Sequence, residues 1–90
     1  MHRALVTVVG KDHPGIIAKV ASALAEHDAN ILDLSQTLMD DIFTMSMLVD
    51  VTATNDNFAD LQSTLETVGH DLGVEVHTQR EEIFNAMSRV

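Results

Sequence analysis

Along this chain the spacing of apolar side chains switches repeatedly between every second residue and about every 3.6 residues, and that alternation restricts the fold more than any other feature. Ala4 to Val9 is a β-rich run (Leu5, Val6, Thr7, Val8, Val9) that ends at Gly10 and reads as a buried strand. Lys11-Asp12-His13-Pro14-Gly15 is a loop, and Pro14 suits the first turn of a helix, where its missing N–H has no partner to lose. From Ile16 to His27 the period is helical, with Ile17, Val20, Ala21 and Leu24 on one face. After a turn at Asp28-Ala29-Asn30, Ile31 to Met39 reads as a strand. Ile31 breaks its alternation, so a bulge is expected near its start. Asp40-Asp41 makes a tight hairpin into Ile42–Asp50, where Phe43, Met45, Met47 and Val49 form one apolar face. Asn55 or Asp56 is placed to cap a second helix with the stripe Phe58, Leu61, Leu65, Val68 and Leu72, stopped by Gly73. Val74, Val76 and Thr78 then alternate with Glu75, His77 and Gln79. Glu81 to Arg89 closes the chain as a short amphipathic helix carrying Ile83, Phe84 and Met87, with Val90 behind it.

The order is β-α-β-β-α-β plus a C-terminal helix. Right-handed crossovers and a hairpin turn that order into one antiparallel sheet with both helices on one face, an α+β, ferredoxin-like arrangement. At 90 residues the chain is expected to be a single domain, residues 1–90. A domain this small leaves much surface uncovered. With no cysteine, neither disulfides nor thiolate-held metals can supplement its packing. Both faces of the first strand are partly apolar, yet helices cover only one face of the sheet. A homodimer is therefore expected to cover more.

Charge narrows the function. There are 14 Asp and Glu against 5 Lys and Arg, a net charge of −9, with Arg3, Lys11, Lys19, Arg80 and Arg89 scattered. Such a chain repels a polyphosphate backbone, and its three aromatics, all Phe, give few stacking platforms, so direct nucleic-acid binding is not expected. No run of about 20 apolar residues exists for a membrane span, and the N-terminus lacks a signal-peptide pattern, so the cytoplasm is expected. The five histidines show no paired metal-ligand spacing, and no nucleophile sits in a recognisable catalytic turn. No metal, cofactor or enzymatic activity is expected.

The stretch Val6-Thr7-Val8-Val9-Gly10-Lys11-Asp12-His13-Pro14-Gly15-Ile16-Ile17-Ala18-Lys19-Val20, followed by Ala29-Asn30-Ile31-Leu32-Asp33-Leu34-Ser35-Gln36, resembles an ACT domain. The shared pattern is a strand, an Asp-x-Pro-Gly-Ile loop, a helix and an Asn-Ile strand start, and the resemblance spans about the whole chain. Asp33-Leu34-Ser35-Gln36-Thr37 with Phe43-Thr44-Met45 is similar to small stand-alone ACT proteins of bacteria and archaea, themselves similar to the glycine-cleavage-system repressor. The resemblance implies a regulatory module that binds an amino acid or related metabolite at a dimer interface. It implies that Asp12 of one subunit and Asn30 of the other contact the ligand; their neighbours His13, Pro14, Gly15 and Ile16 in the loop and Ile31 in the strand complete the candidate site. Gly10 is a departure that weighs against serine as the ligand, because serine-binding members often carry His there.

The residue chemistry suits that role. Asp12 can receive an ammonium. Gly15 lets backbone approach a ligand, and the first amides of the following helix can take a carboxylate. Asn30 both donates and accepts. Two other classes remain open: a ligand-free adaptor for protein pairing, and an acylphosphatase-like enzyme, whose anion-cradling loop with Arg is missing here.

Overall fold

The computed structural model describes residues 1–82. Ile83 to Val90, and with them most of the expected C-terminal helix, lie outside the described residues. Four strands and two helices follow the expected order: β1 (Arg3–Lys11), α1 (Ile16–Glu26), β2 (Asn30–Met39), β3 (Ile42–Asp50), α2 (Phe58–Leu72) and β4 (Val74–Arg80). The strands form one sheet in the order β2-β3-β1-β4, every neighbouring pair antiparallel. This is the ferredoxin-like βαββαβ arrangement.

Alternation assigns the two faces. Ala4, Val6 and Val8 of β1, Phe43, Met45, Met47 and Val49 of β3, and Val74 and Val76 of β4 are all buried. With Val20 and Leu24 of α1 and Leu61 and Leu65 of α2 they make one continuous core. Among the described residues, no helix lies over the opposite face. There Ser35, Ser46, Thr7 and His77 stand in one cross-strand row, and Asp33, Leu48, Leu5 and Gln79 in the next. The apolar side chains of that face, Leu5 and Val9 among them, are half-buried or exposed.

The expected bulge is present. Ile31 pairs with Val49 and Asp33 with Leu48, which leaves Leu32 as the extra residue. The hairpin closes in two residues, Asp40 and Asp41, with Asp40 at φ 57°, a left-handed backbone that Asp tolerates. The helix α1 ends in a Schellman motif. The Ala29 N–H donates to Leu24 C=O (2.9 Å) and the Asp28 N–H to Ala25 C=O (3.0 Å), with Asp28 left-handed at φ 58°. The turn residue is thus Asp28, and Asn30 already belongs to β2.

Three boundaries depart from the sequence reading. First, β1 continues through Gly10 to Lys11, because Gly10 pairs with both Phe43 and Val74. Second, Pro14 lies in the turn ahead of α1, since Gly15 at φ 93° is not helical and the helix starts only at Ile16. Third, neither Asn55 nor Asp56 caps α2. Both lie in a 3₁₀ segment, Thr52–Asn57, and the N-cap is Asn57, without a side-chain bond. Asn55 is occupied elsewhere: Arg80 donates from Nη1 to its side-chain oxygen and from Nη2 to its backbone carbonyl (3.1 Å). The Arg80 guanidinium also stacks 4.3 Å from the Phe58 ring centre.

At the start of the 3₁₀ segment, the Asp50 carboxylate accepts from the Thr52 hydroxyl (2.6 Å) and backbone N–H (2.9 Å). These bonds hold the Asp50 carboxyl below its ordinary pKa. A depressed carboxyl pKa gives stability that is present above the usual carboxylate range and lost as pH falls through the lowered value.

One glycine fixes how closely α2 lies on the sheet. A Cβ at Gly69 would meet the Val76 side chain at 2.7 Å and the Val74 backbone oxygen at 2.9 Å. Alanine is favoured over glycine in a helix interior by about 1 kcal/mol. The clash with backbone outweighs that gain, as overpacking typically costs about 1–3 kcal/mol. Gly69→Ala is therefore expected to lower the melting temperature by several degrees, and an unchanged or raised value would show that α2 can lift off β4 without cost.

Candidate functional site

Most of the residues expected to bind ligand sit at the end of the sheet where β1 hands over to α1. Lys11 closes β1 beside the hairpin, and the Asp12 N–H donates to the Asp41 backbone oxygen (2.9 Å). The Asp12 side chain is exposed. Among the described residues its carboxylate takes no hydrogen bond and no ion pair. The helix α1 has no side-chain cap, and its first intrahelical bond is Lys19 N–H to Gly15 C=O (3.0 Å). The N–H groups of Ile16, Ile17 and Ala18 are thus the unpaired donors of its first turn. Gly15 stands over them with no heavy atom within 4 Å of where a Cβ would be. A free carboxylate and a set of helix N-terminal donors therefore share one open loop.

His13 and Pro14 shape that loop. The His13 ring places Nε2 2.7 Å from the Leu72 carbonyl and Nδ1 3.2 Å from the Pro14 carbonyl. The histidine expected to touch a ligand thus has its ring on backbone, a role sequence reasoning missed because Leu72 lies 59 residues away. Ile16 is buried beneath the loop and anchors the start of α1.

Asn30 and Ile31 lie elsewhere. Asn30 opens β2 and pairs with Asp50, which pairs with Arg3 at the start of β1. The Asp12 loop follows the far end of the same strand. Nine residues of β1, at about 3.3 Å each, put roughly 25–30 Å between the two ends. One chain alone does not bring Asn30 to the loop.

The loop end also collects exposed apolar side chains. Leu38, Met39 and Ile42 are 57%, 69% and 49% exposed around the hairpin, with Val9 close by in β1. The strand β2 is a sheet edge ten residues long, without the Lys or Pro that usually guards such an edge. Among the described residues, shallow grooves lie away from the loop. One, of about 290 Å³, runs between α2 and β4 beside His70 and His77. A second, about 240 Å³, separates the helices, and a third, about 150 Å³, lies on the uncovered sheet face. Among the described residues, no helix is long and apolar enough to cross a membrane.

The sheet order is that of the ferredoxin-like fold, and an Asp-x-Pro-Gly loop leads into its first helix without a side-chain cap. Residues 2–79 match the family described as ACT domain, and the chain belongs to that family. It is similar over its whole length to a UPF0237 protein of Methanocaldococcus jannaschii, at 49% identity over 90 residues and 100% of both chains. Among solved structures it resembles an ACT domain protein from Streptococcus pneumoniae, with TM-score 0.81, 41% identity, and 92% of this chain and 93% of that one covered. It also resembles a protein assigned as a glycine cleavage system transcriptional repressor, with TM-score 0.75 and 25% identity over 88% of this chain and 45% of that one. ACT domains are regulatory modules that bind small ligands.

Proposed function

We propose that this protein is a regulatory module that binds an amino acid or a closely related metabolite at a homodimer interface and catalyses no reaction. The observation that carries the reading is the open loop: the Asp12 carboxylate is exposed in the same loop as the N–H groups that follow Gly15, and both are unpaired among the described residues. An amino-acid zwitterion needs both an anion for its ammonium and donors for its carboxylate, and a helix N-terminus supplies the donors without a cationic side chain.

The dimer accounts for Asn30. Two β2 edges pairing antiparallel run in opposite directions, so the partner's β2 start arrives at the hairpin end. The loop after β1 lies only two strand spacings, about 10 Å, from that edge. Such pairing would satisfy the free edge of β2 and cover Leu38 and Met39. It would also bring Asn30 and Ile31 of one subunit towards Asp12, Gly15 and Ile16 of the other.

The test is a thermal-shift screen with the common amino acids, run with light scattering. One or a few amino acids are expected to raise the melting temperature by several degrees near a hundredfold excess over Kd, since binding there contributes about 2.7 kcal/mol. The scattering mass is expected to be that of a dimer. A dimer that no amino acid stabilises would favour the adaptor reading, and a monomer would remove the shared site.

A further inference from the structure

The carbonyl of Leu72 closes α2 and has no partner within the helix. The next residue, Gly73, is left-handed at φ 72°, and its N–H turns back to Gly69 and His70. Helix-terminal carbonyls of this kind are met by capping groups or water. Here the partner comes from the other side of the fold: His13 approaches with Nε2 2.7 Å from the Leu72 oxygen, and the ring is half-buried. A carbonyl only accepts, so the donor is Nε2–H. With that tautomer of the neutral ring, Nδ1 carries no proton, so its 3.2 Å approach to the Pro14 carbonyl is a contact between two acceptors and no hydrogen bond. We propose that His13 is a positioning residue of the ligand site, tying the Asp12–Ile16 loop to the C-terminus of α2 through an Nε2–H bond to Leu72.

This inference rests on the reading of that loop as the ligand site, and it gives the loop its shape. Between the Asp12 N–H, fixed to the hairpin at Asp41, and the Lys19 N–H, which starts the helical ladder, the segment is held by the buried Ile16 and, among the described residues, by one side-chain hydrogen bond to another element, that of His13. Without it Pro14 and Gly15 are held only from their two ends, by the Asp12 N–H on Asp41 and by the buried Ile16, and the backbone that carries Asp12 is freer relative to the amides of α1. The bond also joins the site to the α2–β4 junction, where Gly73 turns the chain.

The test uses the ligand-free protein, so it does not depend on whether an amino acid binds. Nitrogen NMR of the neutral ring should find the proton of His13 on Nε2. Loss of one hydrogen bond corresponds to about a fivefold increase in local opening. Amide exchange at Asp12 and Gly73, on either side of the tie, should therefore accelerate about fivefold in His13→Ala. The discriminating pair is His13→Gln and His13→Asn. A Gln amide nitrogen reaches about where Nε2 sits, whereas an Asn nitrogen reaches only the Nδ1 position. Gln should restore slow exchange and Asn should not, and this comparison carries the test even if Ala lowers overall stability. A proton on Nδ1, exchange unchanged in Asn, or equal exchange in Gln and Asn would overturn the proposal. In a protein that does bind an amino acid, affinity should follow the same order, with Gln above Asn.

Discussion

Leu65→Ala is expected to lose about 3–4 kcal/mol of stability. Leu65 is fully buried at the middle of the α2 stripe, within the core shared by α1, β1 and β3. Its truncation removes the transfer energy of the lost carbons and leaves a cavity whose walls relax only in part; buried Leu→Ala changes of this kind cost about 2–5 kcal/mol. Small domains have about 5–15 kcal/mol in total, so the variant would stand near the limit of folding. In a domain of this size the melting temperature should fall by roughly 15 °C or more. Leu38→Ala removes the same atoms from a side chain that is 57% exposed in the single chain. In a monomer it should change stability by less than about 0.5 kcal/mol. A larger loss at Leu38 that depends on protein concentration would place that residue in the dimer contact. Thermal melts of both variants at two concentrations make the comparison. A drop of only a few degrees for Leu65→Ala would mean that α2 is not seated on the sheet as described.

Asp12→Ala is expected to weaken the amino-acid ligand between about tenfold and 150-fold, because a charged hydrogen-bond partner contributes roughly 1.5–3 kcal/mol. The fold should be untouched, since the Asp12 side chain is exposed and, among the described residues, makes no bond that holds the chain. What ties this residue into the structure is its backbone N–H to Asp41, which alanine keeps. Gly15→Val is a poorer probe. With φ at 93°, a β-branched residue strains the backbone before it blocks any ligand. Calorimetric titration of wild type and Asp12→Ala measures the difference, and equal affinities would move the ligand away from this loop.

The periodic parts of the fold are legible in the sequence because burial is periodic. Met45 and Met47 alternate with Thr44 and Ser46, and only the first pair is buried. Ile31 breaks the alternation of β2, and the bulge falls at the next residue. What is not legible depends on partners distant in the chain. Gly10 reads as a strand stop, yet it lies inside β1, paired with Phe43 and Val74, and Val74 packs so close that a Cβ there would stand 2.6 Å from its side chain. Asn55 has the chemistry of a helix cap, but Arg80 claims its oxygens. Within the proposed site, Asp12 and Gly15 stand out through the family resemblance taken together with their chemistry, a carboxylate and a glycine ahead of a helix. The role of His13 required Leu72, and the separation of Asn30 from the loop required the strand directions.

A ligand site shared between two chains can be rebuilt by mixing two damaged variants. In an Asp12→Ala dimer both sites lack the carboxylate, and in an Asn30→Ala dimer both lack the amide. A mixed dimer has one site with both defects and one with neither. Titration of the re-equilibrated mixture should therefore recover binding at wild-type affinity, at one site per mixed dimer, where neither variant alone shows it. A mixture that binds no better than its separate components would contradict a site built from Asp12 of one subunit and Asn30 of the other.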